Sequence, residues 1–362
     1  MGRRTGEGDR ERPRRPAGHS RRWWAVFWTA HLLVLAVIAW FWLRPSGPPE
    51  GPAIDPPPDV AAYGMSRAAE VPAPLAGPAG AGGVEGRKEE LFAVVEKLRP
   101  LHRKLAEAKP GDWLAHHKEP GQTFKQYLES DPENALGRRK VIYVQPLGEF
   151  TEKQRAVVKL TAEFLGICYQ LPVKIKEDIP LSAIPEKARR VHPTWGDKQV
   201  LAGYVLDGVL RPRLPRDAAV YIALTASDLW PGRGWNFVFG MASLRERTGV
   251  WSIYRKGDPH AGEAGFRKVL LRTAKTAAHE TGHIFSMLHC IQYECCMCGT
   301  NSLTESDRRP LAFCAECVAK ICWSTGSDPA KRFRELAGFC SKHGLEDEAD
   351  FYERSLKALS AE

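Results

Sequence analysis

Residues 279–298 limit the possible folds and functions of this chain more than any other stretch. Their sequence is HETGHIFSMLHCIQYECCMC. On a helix, His279 and His283 lie one turn apart on the same face, with Cβ atoms about 5–6 Å apart. Two imidazoles at that spacing can bind one zinc ion, and Glu280 then lies where it can accept a proton from a water molecule. His289 reaches the same ion only if the helix ends near residues 286–288 and the chain folds back.

The apolar residues before the histidines separate a metal-binding cleft from the alternative, a histidine pair packed in a core. Five of them fall on one helical stripe: Phe266, Leu270, Ala274, Ala277 and Ile284. His279 and His283 project to roughly the opposite side of the same helix. Histidines that face away from the apolar stripe favour the cleft, and a third histidine nearby favours it further.

The cysteines allow more than one interpretation. C-x-x-C, fifteen residues and C-x-x-C is a strong zinc signal, formed here by Cys295, Cys298, Cys314 and Cys317. Disulfides are the alternative, but nine cysteines cannot all pair with one another, and a cysteine doublet is more typical of metal ligation. The remaining cysteines on apolar helical stretches are predicted to be core thiols: Cys168, Cys322 and Cys340.

The complete motif resembles the archaemetzincins, a family of metzincin zinc peptidases. H-E-x-x-H-x-x-G-x-x-H followed by a methionine is the metzincin signature, and archaemetzincins have a cysteine directly after the third histidine. Here Cys290 follows His289, and Met297 matches the methionine of the Met-turn. Segments similar to the family also lie at residues 110–127, 141–148, 225–240 and 339–356. The resemblance therefore covers roughly residues 88–358.

This resemblance implies an α/β (α+β) zincin fold, with a mixed twisted sheet and an active-site helix, and a peptidase that acts on peptides or proteins. It implies two zinc ions per chain. The ligands of the catalytic zinc would be His279, His283 and His289. The ligands of the structural zinc would be Cys290, Cys295, Cys314 and Cys317. Cys298 is the alternative to Cys290, Glu280 would be the general base, and Met297 would form the floor of the catalytic site.

The chain departs from the family pattern at Ser286, where the signature has glycine. Glycine permits a left-handed turn out of the helix, and a serine in that conformation costs on the order of 1 kcal/mol. This departure keeps a second hypothesis open, a catalytically weak or inactive zinc-binding scaffold on the same fold. The intact Glu280 favours the enzyme.

The N-terminal part of the chain predicts a membrane tether. Residues 1–22 form a basic tail, with eight arginines and three acidic residues. Residues 23–43 contain no charged side chain, and as a helix they would span about 30 Å, one hydrocarbon core. A cleaved signal peptide and a buried core helix are the alternatives, but the segment is longer than the usual hydrophobic region of a signal peptide, and no small-residue cleavage site directly follows Leu43. The arginines place the N-terminus in the cytoplasm, so the catalytic domain would be extracytoplasmic.

Residues 44–86 contain ten prolines and are predicted to be an extended linker, and the peptidase domain is predicted over 87–362. Within it, helices are expected at 91–107, 151–168, 197–210, from about 265, and after 317. Strands are expected at 141–147, 172–177 and 219–225, with a strand pair around a turn at 247–249. The strand near 236–243 either pairs with the backbone of an extended substrate or is an ordinary strand of the sheet.

Nucleic acid is not expected as a partner. The basic tail carries +5 of the net charge of +9, so the rest of the chain is only weakly basic. The loop at 299–313, between the cysteine pairs, has two arginines against one glutamate and one aspartate. A charge-balanced loop of this kind lacks the basic surface that binds phosphates.

Overall fold

A computed structural model describes residues 83–243 and 246–361. The strands in these residues are β1 (Val141–Leu147), β2 (Val173–Ile175), β3 (Arg189–Val191), β4 (Lys198–Leu201), β5 (Ala218–Thr225), β6 (Asp228–Trp230), β7 (Gly240–Ala242) and β8 (Thr248–Ser252). The helices are α1 (Gly83–Leu98), α2 (Trp113–His116), α3 (Phe124–Glu129), α4 (Glu152–Tyr169), α5 (Ala202–Tyr204), α6 (Gly262–Ile284), α7 (Leu303–Asp307), α8 (Ala315–Thr325), α9 (Pro329–Lys342) and α10 (Glu346–Ser360).

The main sheet is mixed, in the order β2-β1-β5-β8-β7. Its first four strands are parallel, and β7 pairs antiparallel with β8. Every residue of β1 and β5 is buried, as expected for continuous apolar runs that are covered on both faces. A smaller sheet has the order β3-β4-β6. The expected mixed α/β arrangement is confirmed, including the antiparallel pair at the edge.

The two faces of the main sheet contribute to two apolar clusters. On β5, Val220 and Ile222 pack into the cluster that contains α4 and α6, whereas Tyr221 and Ala223 pack into the cluster around residues 200–210. This alternation follows from the two-residue repeat of a strand. The sheet is therefore buried between two layers of the chain.

Helix α6 is the element that carries the first two histidines. Its predicted apolar stripe is buried at Leu270, Ala274, Ala277 and Ile284, while Phe266 is partly buried against the same cluster. The helix packs on α4, where the Tyr169 hydroxyl donates to the Ala278 carbonyl at 2.6 Å. It begins at Gly262, slightly before the predicted start.

One predicted helix is too long. The sequence predicts a helix across 91–107, but α1 ends at Leu98. Pro100 lacks the N–H that would continue an α-helix. Beyond it the chain runs beside a distant loop, and the Leu105 N–H donates to the Gln292 carbonyl at 3.0 Å. In this segment, backbone hydrogen bonds to the distant loop take the place of the helical hydrogen bonds that the sequence pattern predicts.

A second predicted helix, at 197–210, is wrong in its first part. Residues of β4 pair antiparallel with β3 and parallel with β6. Only then does the chain turn into α5, which continues as a π-helical segment, Val205–Leu210. The predicted strands β1, β2 and β5, the strand pair β7 and β8, and the C-terminal helices α8, α9 and α10 are found, whereas β3 and β6 were not predicted.

Within residues 83–243 and 246–361, no helix is both long enough and apolar enough to cross a membrane. The predicted basic tail (1–22) and anchor (23–43) lie outside the described residues, as does most of the predicted linker (44–86). Helix α1 begins at Gly83, four residues inside that linker. The anchor stays a prediction from the sequence.

Candidate metal centre

Three imidazoles meet at the end of α6. His279 and His283 lie one turn apart on the helix, and the chain then folds back and brings His289 beside them. One ring nitrogen from each residue lies within 4.8 Å of the others. The ring centroids are 4.6 to 5.2 Å apart. The structure thus brings together the three residues predicted to bind the catalytic zinc.

The chain leaves α6 through a left-handed turn at Ser286, which has a φ of 62°. The Ser286 N–H donates to the His283 carbonyl at 2.9 Å, and the Met287 N–H donates to the Gly282 carbonyl at 3.1 Å. The Glu133 N–H donates to Ser286 Oγ at 3.1 Å. The serine therefore adopts the conformation expected of a glycine here, and its hydroxyl forms a bond that glycine lacks.

Replacement of Ser286 by glycine is expected to change the free energy of unfolding by less than about 1 kcal/mol, because relief of the left-handed strain offsets the lost hydrogen bond. Ser286→Ala keeps the strain and loses the bond, so it is expected to destabilise the protein by about 1 kcal/mol relative to wild type. Urea unfolding of the three proteins measures both differences. A fully stable Ser286→Ala protein would show that the bond to Glu133 contributes nothing.

Hydrogen bonds define the orientation of all three imidazoles. The Nδ1 atoms of His279 and His283 lie 2.8 Å from the Cys296 carbonyl and 2.7 Å from the Met287 carbonyl. His289 Nδ1 lies 2.8 Å from a Glu119 carboxylate oxygen. Each partner is an acceptor, so we assign the proton to Nδ1 and the lone pair to Nε2 in every ring.

These lone pairs make the site suited to a cation. His279 Nε2 and His283 Nε2 are 3.0 Å apart, and two acceptors at that distance repel each other unless a positive charge lies beside them. Partial burial, together with the neighbouring imidazoles, lowers the pKa of both rings. Neutral imidazoles with convergent Nε2 atoms fit zinc, which is bound by imidazole nitrogen.

Glu280 follows His279 on α6 and is buried against the edge strand β7. A Cβ atom added at Gly240 would lie 2.8 Å from a Glu280 carboxylate oxygen, so glycine is needed for the two to pack this closely. Burial raises the pKa of Glu280 to about 8, and the charge of Lys256 opposes that shift. Lys256 is itself buried, with its Nζ bonded to Thr276 Oγ1 at 2.6 Å.

Met297 packs against α6 at Gly282. Its side chain is fully buried, and a Cβ atom added at Gly282 would lie 2.6 Å from Met297 Sδ. The methionine therefore lies against the backbone of α6 next to His283. Its role as the Met-turn residue at the floor of the site stays a prediction.

A second ligand set lies on the chain after His289. The sulfur atoms of four buried cysteines lie within 4.8 Å of one another: Cys290, Cys295, Cys314 and Cys317. The sulfurs of Cys290 and Cys314 are 3.7 Å apart, far beyond a disulfide bond of about 2.05 Å and close to the ~3.8 Å expected between ligands around a tetrahedral zinc. The Cys314 N–H donates to Cys295 Sγ at 3.1 Å, a contact that favours a thiolate.

Cys298, the alternative ligand, is not part of this set. Its Sγ donates to the Tyr293 carbonyl at 3.2 Å. Cys296, the other member of the doublet, donates to the Lys275 carbonyl at 3.5 Å. The structure therefore assembles the four cysteines that contain Cys290. The predicted core thiols at 168, 322 and 340 are buried, as expected.

Residues far upstream also contribute to the site, and the sequence did not indicate their role. Glu119 bonds to His289, and Trp113 Nε1 donates to the same carboxylate oxygen at 2.8 Å. Lys256 and Gly240 were missed as well. Glu119 lies within the segment at 110–127 that resembles the family, but no spacing rule connects it to a histidine 170 residues away.

Comparison with known proteins agrees with the geometry. A family model described as Peptidase family M54 matches residues 218–322. Archaemetzincin-2 of Macaca fascicularis is 32% identical over 259 residues, which cover 63% of this chain and 71% of that protein. Archaemetzincin of Thermococcus kodakarensis is 30% identical over 190 residues, 50% of this chain and 95% of that protein. A crystal structure of archaemetzincin from Archaeoglobus fulgidus is 27% identical, covers 50% of this chain and 99% of that chain, and gives a TM-score of 0.39.

The family model, the two archaemetzincin sequences and the histidine centre define a zinc metallopeptidase, a hydrolase of peptide bonds. The chain belongs to the archaemetzincin family, peptidase family M54. The resemblance found in the sequence is confirmed.

Proposed function

We propose that this peptidase cleaves its substrates at the three-histidine centre, with Glu280 as the general base. The observation that supports the proposal most strongly is the convergence of three imidazoles at the end of α6, where the buried Glu280 directly follows His279. His279, His283 and His289 would hold the zinc. When bound, zinc would polarise the scissile carbonyl and make water more acidic.

Glu280 has the surroundings that a general base needs. Its buried carboxyl group holds a proton more tightly than an exposed glutamate does, which suits a group that accepts a proton from water and then donates it to the leaving amine. The ammonium form of Lys256 favours the carboxylate form of Glu280, although burial lowers the pKa of Lys256 itself to about 7. The contact with Gly240 limits where the carboxylate can move.

The substrate is a peptide or protein, and we propose that it lies in extended form along β7. Among the described residues, β7 is the last strand of the main sheet, so one of its edges has no strand neighbour there. Gly240 of this strand contacts Glu280. A peptide added to such an edge would form main-chain hydrogen bonds and bring its backbone to the base.

We also propose that the four-cysteine set binds a second zinc ion with a structural role. Four thiolates close the coordination shell and leave no position for a substrate. The Cys290 N–H donates to the Met297 carbonyl at 2.8 Å. A metal bound to Cys290 and Cys295 would therefore fix the segment that carries both His289 and Met297.

Digestion of a broad peptide library by the purified full-length protein tests the proposed activity. We expect cleavage that is abolished by a strong chelator and restored when zinc is added. His283→Ala should show no cleavage before or after the zinc addition. Cleavage that survives complete removal of metal would contradict the proposed chemistry.

Gly240→Ala is expected to lower peptide hydrolysis by about 10- to 100-fold without loss of zinc, because the added Cβ displaces the Glu280 carboxylate. The matched control is Gly338→Ala, on helix α9, where an added Cβ meets no atom within 4 Å. Hydrolysis rates and zinc content of both variants provide the comparison. Full activity of Gly240→Ala would mean that Glu280 is not held in this position during catalysis.

We further propose that residues 23–43 anchor the peptidase domain on the extracytoplasmic side of a membrane. The uncharged stretch and the arginine-rich flank in the sequence support this arrangement. Protease added to intact cells that express the chain is expected to cut between residues 44 and 86 and to release the peptidase domain in soluble form. A peptidase domain that resists the protease until the cells are lysed would show the opposite orientation or an internal location.

A further inference from the structure

We infer that Glu119 is a positioning residue that holds His289 in the orientation required for metal binding. The inference rests on the proposed function, because it concerns the same histidine centre. His289 differs from the other two ligands in how it is supported. His279 and His283 project from a regular helix, whereas His289 follows the turn at Ser286, outside any helix or strand.

The hydrogen-bond partners differ in the same way. The Nδ1 atoms of His279 and His283 bond to main-chain carbonyls, those of Cys296 and Met287. His289 Nδ1 instead bonds to the Glu119 side chain, 2.8 Å away. A carboxylate that accepts the Nδ1 proton fixes the tautomer and directs the Nε2 lone pair towards the other ligands. The orientation of the third ligand therefore depends on one side chain from a distant segment.

Glu119 is itself held in place by Trp113. The indole Nε1 donates to the carboxylate oxygen that contacts His289, at 2.8 Å, and the indole ring packs edge-on to the imidazole with centroids 5.4 Å apart. The Trp113 N–H donates to both oxygens of the buried Glu305 at 3.0 and 3.1 Å. A Cβ atom added at Gly299 would lie 2.5 Å from the indole. The tryptophan thus has little room to move.

The next residues connect the same segment to the loop that carries His289. Gln122 Nε2 donates to the Ser286 carbonyl at 3.4 Å, and the Leu288 N–H donates to Gln122 Oε1 at 3.2 Å. Gly121 packs against Ile291, where an added Cβ would lie 2.6 Å from the side chain. The segment therefore contacts the loop on both sides of His289. These contacts hold the Glu119 carboxylate next to the imidazole.

Chelator competition against the full-length protein tests this role. Glu119→Ala is expected to lower the affinity for one of the two zinc ions by about 10- to 100-fold and to leave the affinity for the other unchanged. Glu119→Gln retains a side-chain oxygen that accepts from Nδ1, so it should recover most of the affinity. Trp113→Phe removes the indole donor and part of the ring but keeps the carboxylate of Glu119, so it should give a smaller loss. Glu129→Ala, at an exposed position on α3, is the matched control and should bind zinc like wild type.

A spectroscopic measurement separates positioning from a general loss of structure. With cobalt in place of zinc, the visible spectrum of the histidine centre is expected to change in Glu119→Ala and to return towards wild type in Glu119→Gln. Equal loss of affinity in both variants, or wild-type affinity in Glu119→Ala, would overturn the inference. If wild type binds no metal at the histidines, the proposed function fails as well. If wild type binds two zinc ions and cleaves peptides while Glu119→Ala is unchanged, only the role of Glu119 fails.

Discussion

Glu280→Gln is expected to lower peptide hydrolysis by at least ~10²-fold, the usual contribution of a positioned general base. Glutamine has nearly the same size as glutamate, so the packing against Gly240 is retained. The amide cannot accept the proton that the carboxylate accepts. Because Glu280 is not among the three convergent imidazoles, the variant should keep the same zinc content as wild type.

The measurement is the rate of peptide cleavage together with zinc content, with Glu353→Gln as the matched control. Glu353 lies on the exposed face of α10, so its substitution should affect neither quantity. Cleavage by Glu280→Gln at the wild-type rate would remove the glutamate from the mechanism. Loss of zinc from Glu280→Gln would mean that the residue helps to bind the metal and that its role has been assigned wrongly.

Cys317→Ser is expected to abolish binding of one zinc ion and to destabilise the protein by more than about 4 kcal/mol. Cys317 is buried at the start of α8, and its sulfur lies among those of the other three cysteines. Without that ligand, the loop between His289 and Met297 loses its attachment to α8. Peptide hydrolysis should therefore fall along with stability, although Cys317 is not part of the histidine centre.

Cys298→Ser is the matched control for this experiment. Serine retains a donor for the Tyr293 carbonyl, which Cys298 contacts at present, so we expect a change in unfolding free energy below about 1 kcal/mol and unchanged zinc content. Thermal unfolding and metal analysis of both variants decide the ligand set. If Cys298→Ser loses a zinc ion while Cys290→Ser keeps it, the set that contains Cys298 is the correct one.

The sequence predicts those parts of the fold that local patterns determine. β1 and β5 are continuous apolar runs, and α4 has a clear helical pattern, so all three agree closely with the expected bounds. The helix predicted at 91–107 ends early because Pro100 stops it and a distant loop supplies new backbone partners. The strand β4 was missed because its partners, β3 and β6, are visible only in the folded chain.

The same distinction applies to the metal centre. The ligands lie close together in sequence, and their spacing indicates both sets. Spacing alone leaves open the choice between Cys290 and Cys298, and three-dimensional packing places Cys290 among the other sulfurs. Glu119 and Lys256 approach the centre through long-range contacts that no local pattern encodes.

Ser286 was the feature that most favoured an inactive scaffold. Ser286 adopts the left-handed conformation, with a φ of 62°, and hydrogen bonds from neighbouring residues offset the backbone strain. Glu133 donates to the hydroxyl, and the Tyr127 hydroxyl donates to the Phe285 carbonyl at 2.6 Å. His289 still reaches the other two histidines. The departure from the family pattern therefore does not remove the third ligand from the site.

Zinc content per chain, measured on the purified full-length protein, tests the two-site arrangement most directly. Wild type is expected to contain two zinc ions, and His283→Ala and Cys317→Ser are each expected to contain one. Peptide cleavage should be absent from His283→Ala even though its remaining zinc is retained. A wild-type protein with a single zinc ion, and with disulfides detected by mass spectrometry among Cys290, Cys295, Cys314 and Cys317, would contradict two separate zinc sites.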